Sequence, residues 1–378
     1  MKNLTLLIFF ILFAIFLSNT AYADDVNESI YSSIEGEIDY FKENIPDFVL
    51  QYFPKEFSKS DFSDFKFNEV LSEKSFWDYI LSYLFGDLET VVKCFASLLF
   101  LLIIASVFSS LGNIIKQETL KRILSLCSTL CIALTVFNIT VNIANFVTSY
   151  LNNMCRIVNA FLPLMSVLCI MTGNITSAAV ISTSMSLFIT LVESFLVVSL
   201  LPLVKISLSF ACIKLFGSCD FSGITKTIKT TFTSVIVFTM SIFMFIFSMK
   251  NVISQGADSL SIKTAKFAIS SFVPILGASI NDALRTVSSS LSIIKNSCGI
   301  IAIISILLIV IPIVINLLLN KLSFGLLNSI SKLLGLKSEG EIFEEANSTC
   351  TLLLTLVACS FILFLFGLTI FVQFSSGA

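Results

Sequence analysis

Six apolar stretches, each long enough for a helix to cross a bilayer, recur along this chain of 378 residues. A spanning helix needs roughly 20 apolar residues, and backbone groups in lipid must pair with one another. The stretches therefore predict an all-α polytopic membrane protein with about six spans. They occupy residues 91–112, 123–147, 187–215, 231–249, 298–319 and 350–372.

The composition supports a membrane protein and argues against an enzyme. The chain is 56% hydrophobic and 13% charged, whereas a soluble domain is about 45–50% apolar and about 25% charged. Histidine is absent, which removes the usual general base and the commonest metal ligand. The sequence also contains no phosphate-binding P-loop and no nucleophile-elbow motif. We expect no catalytic activity, no cofactor, no metal and no nucleic-acid partner, and we expect any energy input to come from another protein.

Ten cysteines are present, and most of them lie in the apolar stretches. None falls between residues 24 and 90, where an exported segment would carry a disulfide framework. We interpret the cysteines as small buried hydrophobic residues rather than as a metal or redox site.

The first 23 residues have the pattern of a secretory signal peptide. Lys2 precedes an apolar core, and the A-x-A sequence at 21–23 is typical of a cleavage site. An uncleaved anchor is the alternative. Both interpretations place Asp24 and the residues after it outside the cytoplasm.

Residues 24–90 form an acidic segment that differs from the rest of the chain. They hold 16 acidic residues and five lysines, whereas residues 91–378 hold 17 lysines and arginines and nine acidic residues. An exported acidic segment and a basic membrane domain show the charge asymmetry expected of a multi-span protein. We predict short amphipathic helices broken near Pro46 and Pro54. Their aromatic residues fit either a helix resting at the membrane interface or a docking surface for an extracytoplasmic partner.

Residues 263–299 form a half-apolar, charged segment between two apolar stretches, and we predict that it is the functional centre. Pro274 and Gly277 interrupt its apolar part, and the i, i+3 spacing allows Asp282 and Arg285 to pair. Such a segment fits a re-entrant hairpin, which survives at membrane depth only inside protein or beside a wet cavity. Its candidate residues are Pro274, Gly277, Asp282, Arg285, Lys295 and Asn296.

An internal repeat is predicted from a second proline segment. The residues around Pro163, FLPL, resemble FVPI around Pro274, which suggests repeats over 122–217 and 230–325. Each repeat would hold one Pro-broken re-entrant hairpin, at 157–186 and 266–296, and binding sites of transporters lie near such breaks. If each hairpin is instead two full spans, the count rises to ten and the sidedness is unchanged.

Charge placement adds one further candidate residue and a topology. Glu193 is an acid inside an apolar stretch, so it is predicted to face the bundle interior or water, or to lie near the interface. Loops rich in lysine around Lys116, Lys226 and Lys332 are predicted to be cytoplasmic. The same topology places Lys250, Lys263 and Lys266 outside the cytoplasm, which counts against it.

A family resemblance rests on residues 256–299. Gly256-Ala257, the run IKTAKF at 262–267, FVP at 272–274, Asp282-Ala283 and Lys295-Asn296 resemble the stage III sporulation protein AE family. The resemblance implies a multi-pass protein of the mother-cell membrane around the forespore, with its N-terminal segment in the intermembrane space. It also implies a secretion-like channel complex whose other members, the stage III sporulation A-operon proteins, include a cytoplasmic ATPase and ring-forming intermembrane proteins.

Three functions remain open at the level of sequence. The first is a permease-like or export-platform subunit of that channel complex. The second is a stand-alone secondary transporter of a small solute. The third is a scaffold whose spans pack against partners and conduct nothing.

Overall fold

All elements in the described part of the chain are helices. The computed structural model describes residues 28–46, 49, 74–112, 118–213, 222–272 and 277–373. A six-residue π-helical segment, Val192–Val197, joins α4 to α5. The helices are α1 (Glu28–Asn44), α2 (Lys74–Gly112), α3 (Glu118–Met171), α4 (Ile175–Leu191), α5 (Val198–Ile213), α6 (Ser222–Phe272), α7 (Gly277–Leu333) and α8 (Lys337–Gln373).

The predicted all-α polytopic architecture is confirmed. Six helical stretches of the described residues are long and apolar enough to cross a membrane: Leu81–Ser110, Ile123–Met171, Ile175–Ile213, Gly223–Leu260, Ser297–Leu333 and Lys337–Ile370. The longest has 49 residues, which corresponds to about 73 Å of helix. Because the hydrocarbon core is only about 30 Å thick, the helices extend well beyond it.

Helix α7 forms the centre of the bundle. In its most apolar stretch 78% of the residues are buried, compared with 17% for α6 and 22% for α2. It pairs with α8 as an antiparallel hairpin, and α2, α3 and α6 also contact it. Residues such as Ile301, Ser305 and Leu317 are fully buried, because α7 is apolar all round rather than on one stripe.

Two glycines end long helices in the same way. Gly173 follows α3 with φ of +84°, and Gly335 follows α7 with φ of +74°. In both turns the next residue donates its N–H to a carbonyl five positions back, Asn174 to Cys169 and Leu336 to Ser331, each at 2.9 Å. This is the Schellman arrangement, and glycine suits it because its backbone adopts positive φ without a steric penalty.

The helical break predicted at Pro163 is wrong. Pro163 lies inside α3, which continues to Met171 and joins the predicted span at 123–147 to the first arm of the predicted hairpin. Proline removes the donor for the carbonyl of Asn159, and Asn159 and Pro163 both lie on an exposed side of the helix rather than in the core. The first hairpin turn therefore comes at Gly173, between two long helices rather than at a proline.

The predicted equivalence of Pro163 and Pro274 stays a prediction. Helix α6 ends at Phe272 and α7 begins at Gly277, so Pro274 falls between two helices and lies outside the described residues. The helices on both sides are 51 and 57 residues long, which is far longer than the arms of a re-entrant hairpin. The repeat boundaries at 122–217 and 230–325 stay predictions.

Candidate functional site: a polar face on α3 and α4

Helix α3 carries a row of polar side chains along one exposed side. Steps of four and three residues alternate along the row, which keeps its members on one face of a helix. The row covers 22 residues, or about 32 Å of helix between its ends, which is close to the thickness of the hydrocarbon core. We call it the asparagine face, and its members, all exposed, are Asn138, Asn142, Asn145, Ser149, Asn152, Arg156 and Asn159.

The outer surface of α6 has the opposite character. Its exposed residues include Val237, Phe238, Ile242, Phe245 and Ile246, and Phe238 and Phe245 are each 67% exposed. An exposed apolar belt of this kind is typical of a surface in contact with lipid tails. The exposed surface of α6 is therefore mainly apolar, with Ser241 as an exception, whereas that of α3 carries the asparagine face, with Phe146 exposed beside it.

A second polar row continues the polar side onto α4. Thr176, Thr183, Ser186, Thr190 and Glu193 are exposed and again follow heptad spacing. The hydroxyls of Thr183 and Thr190 donate to backbone carbonyls four residues back, at 2.7 and 2.9 Å. Such bonds lower the free-energy cost of placing a threonine hydroxyl in a membrane helix. Among the described residues, the carboxylate of Glu193 has no comparable hydrogen bond to a neighbouring turn.

The two rows converge at Arg156 and Glu193. Arg156 lies about 24 Å before the turn at residues 172–174, and Glu193 about 28 Å after it. The π-helical segment that contains Glu193 packs against α3, and Glu193 is within electrostatic reach of Cys155, the neighbour of Arg156. No salt bridge joins Arg156 to Glu193 in the described part of the chain. The polar side thus holds one cation and one anion at the same level.

Two of the predicted site residues lie on this surface. Glu193 is exposed in the π-helical segment, so it does not point into the interior of the single bundle. Pro163 is exposed one further step of four residues beyond Asn159, so it extends the asparagine face. Both residues were predicted from the sequence for other reasons, a charge in an apolar stretch and a helix break.

The remaining predicted residues belong to the segment around the start of α7. Pro274 and the surroundings of Gly277, Asp282, Arg285, Lys295 and Asn296 lie outside the described residues. The backbone of 277–296 is helical as part of α7, so Asp282 and Arg285 stay one turn apart. Their pairing stays a prediction.

A buried ion pair, which the sequence analysis did not predict, ties α6 to α8. Lys229 Nζ lies 2.7 Å from Glu345 Oε1, with 6% and 16% of the two side chains exposed. The ammonium group also donates to the hydroxyl of Thr349 at 2.7 Å and to the carbonyl of Glu345 at 3.1 Å. Ser207 of α5 donates to Glu345 Oε1. Since every partner comes from a different turn or helix, this cluster fixes the relative register of three helices.

A buried carboxylate also connects α6 to α4. Asp258 Oδ1 and Oδ2 accept the backbone N–H groups of Thr176 and Ser177 at 2.9 and 2.8 Å. These N–H groups belong to the first turn of α4, where intrahelical acceptors are missing and the helix dipole favours a negative charge. Asp258 thus caps a neighbouring helix, which is a structural role.

The sequence contains the spacing of the asparagine face, but the high mean hydropathy of the stretch conceals it. Asn142, Asn145, Asn152 and Asn159 stand at heptad spacing, which can be seen in the letters alone. No comparable local signal marks Lys229 and Glu345, which are 116 residues apart. Within the described residues there is no group of three or more cysteines and acids that could hold a metal ion.

Comparisons with known proteins identify the family. The family model of stage III sporulation protein AE matches residues 34–375. A relative named stage III sporulation protein AE, from Bacillus subtilis (strain 168), is 24% identical over 229 residues, which covers 59% of this chain and 56% of the relative. The matched region thus spans little more than half of that relative's length, and no solved structure matches this chain. The chain belongs to the stage III sporulation protein AE family, as a multi-pass membrane protein of sporulation stage III.

Proposed function

We propose that this protein is a permease-like membrane subunit of a secretion-like channel complex between the mother cell and the forespore. The observation that carries the proposal is the asparagine face, a row of seven exposed polar residues within a stretch apolar enough to span a membrane. Polar side chains within spans face a bundle interior, a partner or a water-filled cavity. In a single bundle this face is on the outside, so it requires an assembly to cover or enclose it.

The expected partners follow from the same reasoning. The chain has no nucleotide-binding motif, so an energy-driven process needs a cytoplasmic ATPase as a separate protein. The acidic helix α1 buries Ile38 and Phe41 in the bundle, keeps Glu35 and Asp39 exposed, and leaves Glu37 half-buried. The exposed acids are available to a ring-forming protein of the intermembrane space, if the N-terminal segment is exported.

A non-conducting scaffold and a stand-alone transporter are the competing functions. A scaffold surrounded by lipid would leave five asparagine side chains in hydrocarbon, where an unsatisfied polar group costs several kcal/mol. A stand-alone transporter would bury its polar path inside one bundle, whereas the described interior around α7 is mainly apolar, with Ser305 and Asn320 as isolated buried polar residues. The polar outside and the apolar centre therefore favour a subunit of a larger conducting assembly.

The test is complementation of a sporulating strain that lacks this protein. We expect the double variant Asn145→Leu/Asn152→Leu to accumulate in the membrane and to yield few heat-resistant spores, because leucine removes the polar character of the face at two successive heptads. The matched control is Val237→Leu/Phe238→Leu on the apolar surface of α6, which should sporulate normally. Normal spore counts from the asparagine variant would contradict the proposal.

A further inference from the structure

The depth of the asparagine face can be read from contacts between α3 and α8. The two helices run in the same direction, and the hydroxyl of Thr129 donates to Glu339 Oε1 at 2.5 Å. Since both helices rise about 1.5 Å per residue, Asn138 lies level with residue 348 of α8 and Asn159 with residue 369. The asparagine face therefore runs alongside the apolar part of α8, residues 350–370.

A second, independent contact gives the same depth from the other end. Phe188 of α4 packs edge-on against Phe364 of α8, with ring centroids 5.0 Å apart. Helix α4 runs back along α3 after the turn at 172–174. Phe188 is as far after this turn as residue 158 of α3 is before it, so the two lie at the same height in the bundle. Counted from Thr129, Phe364 lies level with residue 154. The two counts differ by about 6 Å of helix rise, so the register holds along the whole face.

The lipid-facing surface of α6 lies at this depth too. The contact between Lys229 and Glu345 sets the register of α6 against α8, which places Ile242 level with residue 358 and Phe245 level with residue 361. On α3 the same levels correspond to residues 148 and 151, within one residue of Ser149 and Asn152. At this depth the exposed residues of α6 are thus mainly apolar, whereas those of α3 are mainly polar.

We propose that the asparagine face is the wall of a water-filled path through the membrane, enclosed within the assembled complex. This inference rests on the proposed function and names the surface that performs it. Lipid is excluded as the neighbour, because the amides would lose their hydrogen bonds with water. A dry helix interface held by hydrogen bonds between asparagines is the competing neighbour. The row also contains the charged Arg156, and charged residues at membrane depth face a bundle interior or a water-filled cavity, which favours a hydrated wall.

The chemistry of the wall defines the class of solute. Six of its seven side chains are neutral groups that both donate and accept hydrogen bonds, so they replace part of the hydration shell of a polar solute of either charge. Arg156, with Glu193 at the same level, forms the charged zone of this wall. The path therefore suits small hydrated polar solutes and would not sort them strongly by the sign of their charge.

The experiment compares thiol accessibility at matched depths in membranes of sporulating cells. Single variants Ser149→Cys and Asn152→Cys on α3 are paired with Ile242→Cys and Phe245→Cys on α6. A membrane-impermeant cationic methanethiosulfonate is applied, and labelling is followed peptide by peptide by mass spectrometry, so the native cysteines stay in place. We expect the α3 thiols to react at least about tenfold faster, because the thiolate is the reactive form and hydrocarbon keeps a thiol protonated.

Each outcome bears on the inference. Fast labelling on α3 with slow labelling on α6 supports a wet wall. Labelling as slow on α3 as on α6 overturns it, and disulfide cross-links at residue 149 without labelling would identify a dry interface instead. Fast labelling at all four positions would also overturn it, because this depth would then not be hydrocarbon. If α3 labels quickly and Asn145→Leu/Asn152→Leu still sporulates, the wet wall stands and the proposed function fails.

Discussion

A buried carboxylate needs donors, and Asp258 takes them from the first turn of another helix. Its two oxygens satisfy the N–H groups of Thr176 and Ser177, and only 2% of the residue is exposed. The hydroxyl of Ser177 donates to Ser254 at 3.2 Å on the same side of α6. The contact joins α6 to the first turn of α4, beside the turn at Gly173. We therefore expect a substitution at residue 258 to displace the start of the polar row on α4.

We expect Asp258→Ala to lower the free energy of unfolding by about 1–3 kcal/mol, because two buried helix N–H groups lose their acceptor. Asp258→Asn keeps one carbonyl oxygen and should recover part of the loss. The measurement is unfolding of the full chain in detergent micelles. The control is Ser259→Ala, an exposed neighbour on α6, which should stay within about 0.5 kcal/mol. Equal stability of the two alanine variants would show that the cap contributes nothing.

At the scale of elements, the cluster around Lys229 and Glu345 holds α5, α6 and α8 in register. Helix α6 is otherwise loosely held, since only 17% of its most apolar stretch is buried. Its buried positions form a narrow seam that includes Thr225, Lys229, Ile236 and Met240. The ion pair is therefore a main point of attachment for a peripheral helix.

We expect Lys229→Met or Glu345→Leu alone to destabilise the protein by about 3–5 kcal/mol, because each leaves a buried charge unpaired. The double variant Lys229→Met/Glu345→Leu should recover most of that loss. The chain supplies its own control in Lys332 and Glu344, an exposed pair at 3.3 Å whose removal should change stability by about 0–1 kcal/mol. A double-mutant cycle in detergent measures both pairs, and equal coupling energies would refute the assignment.

At the scale of the whole molecule, the N-terminal helix lies near one end of the bundle. The ring of Phe41 packs 5.3 Å from that of Phe161, and Phe161 is level with the end of the apolar part of α8. Helix α1 ends at Asn44, just before Pro46, as predicted from the proline. Its apolar face is used within the chain, which leaves its acidic face for solvent or a partner.

The charge asymmetry predicts that the α1 end of the bundle is extracytoplasmic. Glu35 on α1 and Glu341 near the start of α8 are both exposed and lie at opposite ends of the bundle. An impermeant thiol reagent applied to intact vegetative cells that produce the protein in their cell membrane should therefore modify Glu35→Cys, and should modify Glu341→Cys only after the cells are permeabilised. The reverse pattern would show that the protein is inserted with the opposite sidedness.

The sequence alone was sufficient for the number of spans, though not for the bounds of the second and third, because a bilayer imposes length and hydropathy on any helix that crosses it. It also contained the heptad spacing of Asn142, Asn145 and Asn152. Tertiary packing decided the rest. The proline in α3 and Asn159, whose carbonyl loses its donor, both lie on an exposed side of the helix. Asp258 and Lys229 contact partners 81 and 116 residues away, which no local pattern encodes. Exposure is a property of the assembled bundle, so only the packing of α3 could show that its asparagines face outward.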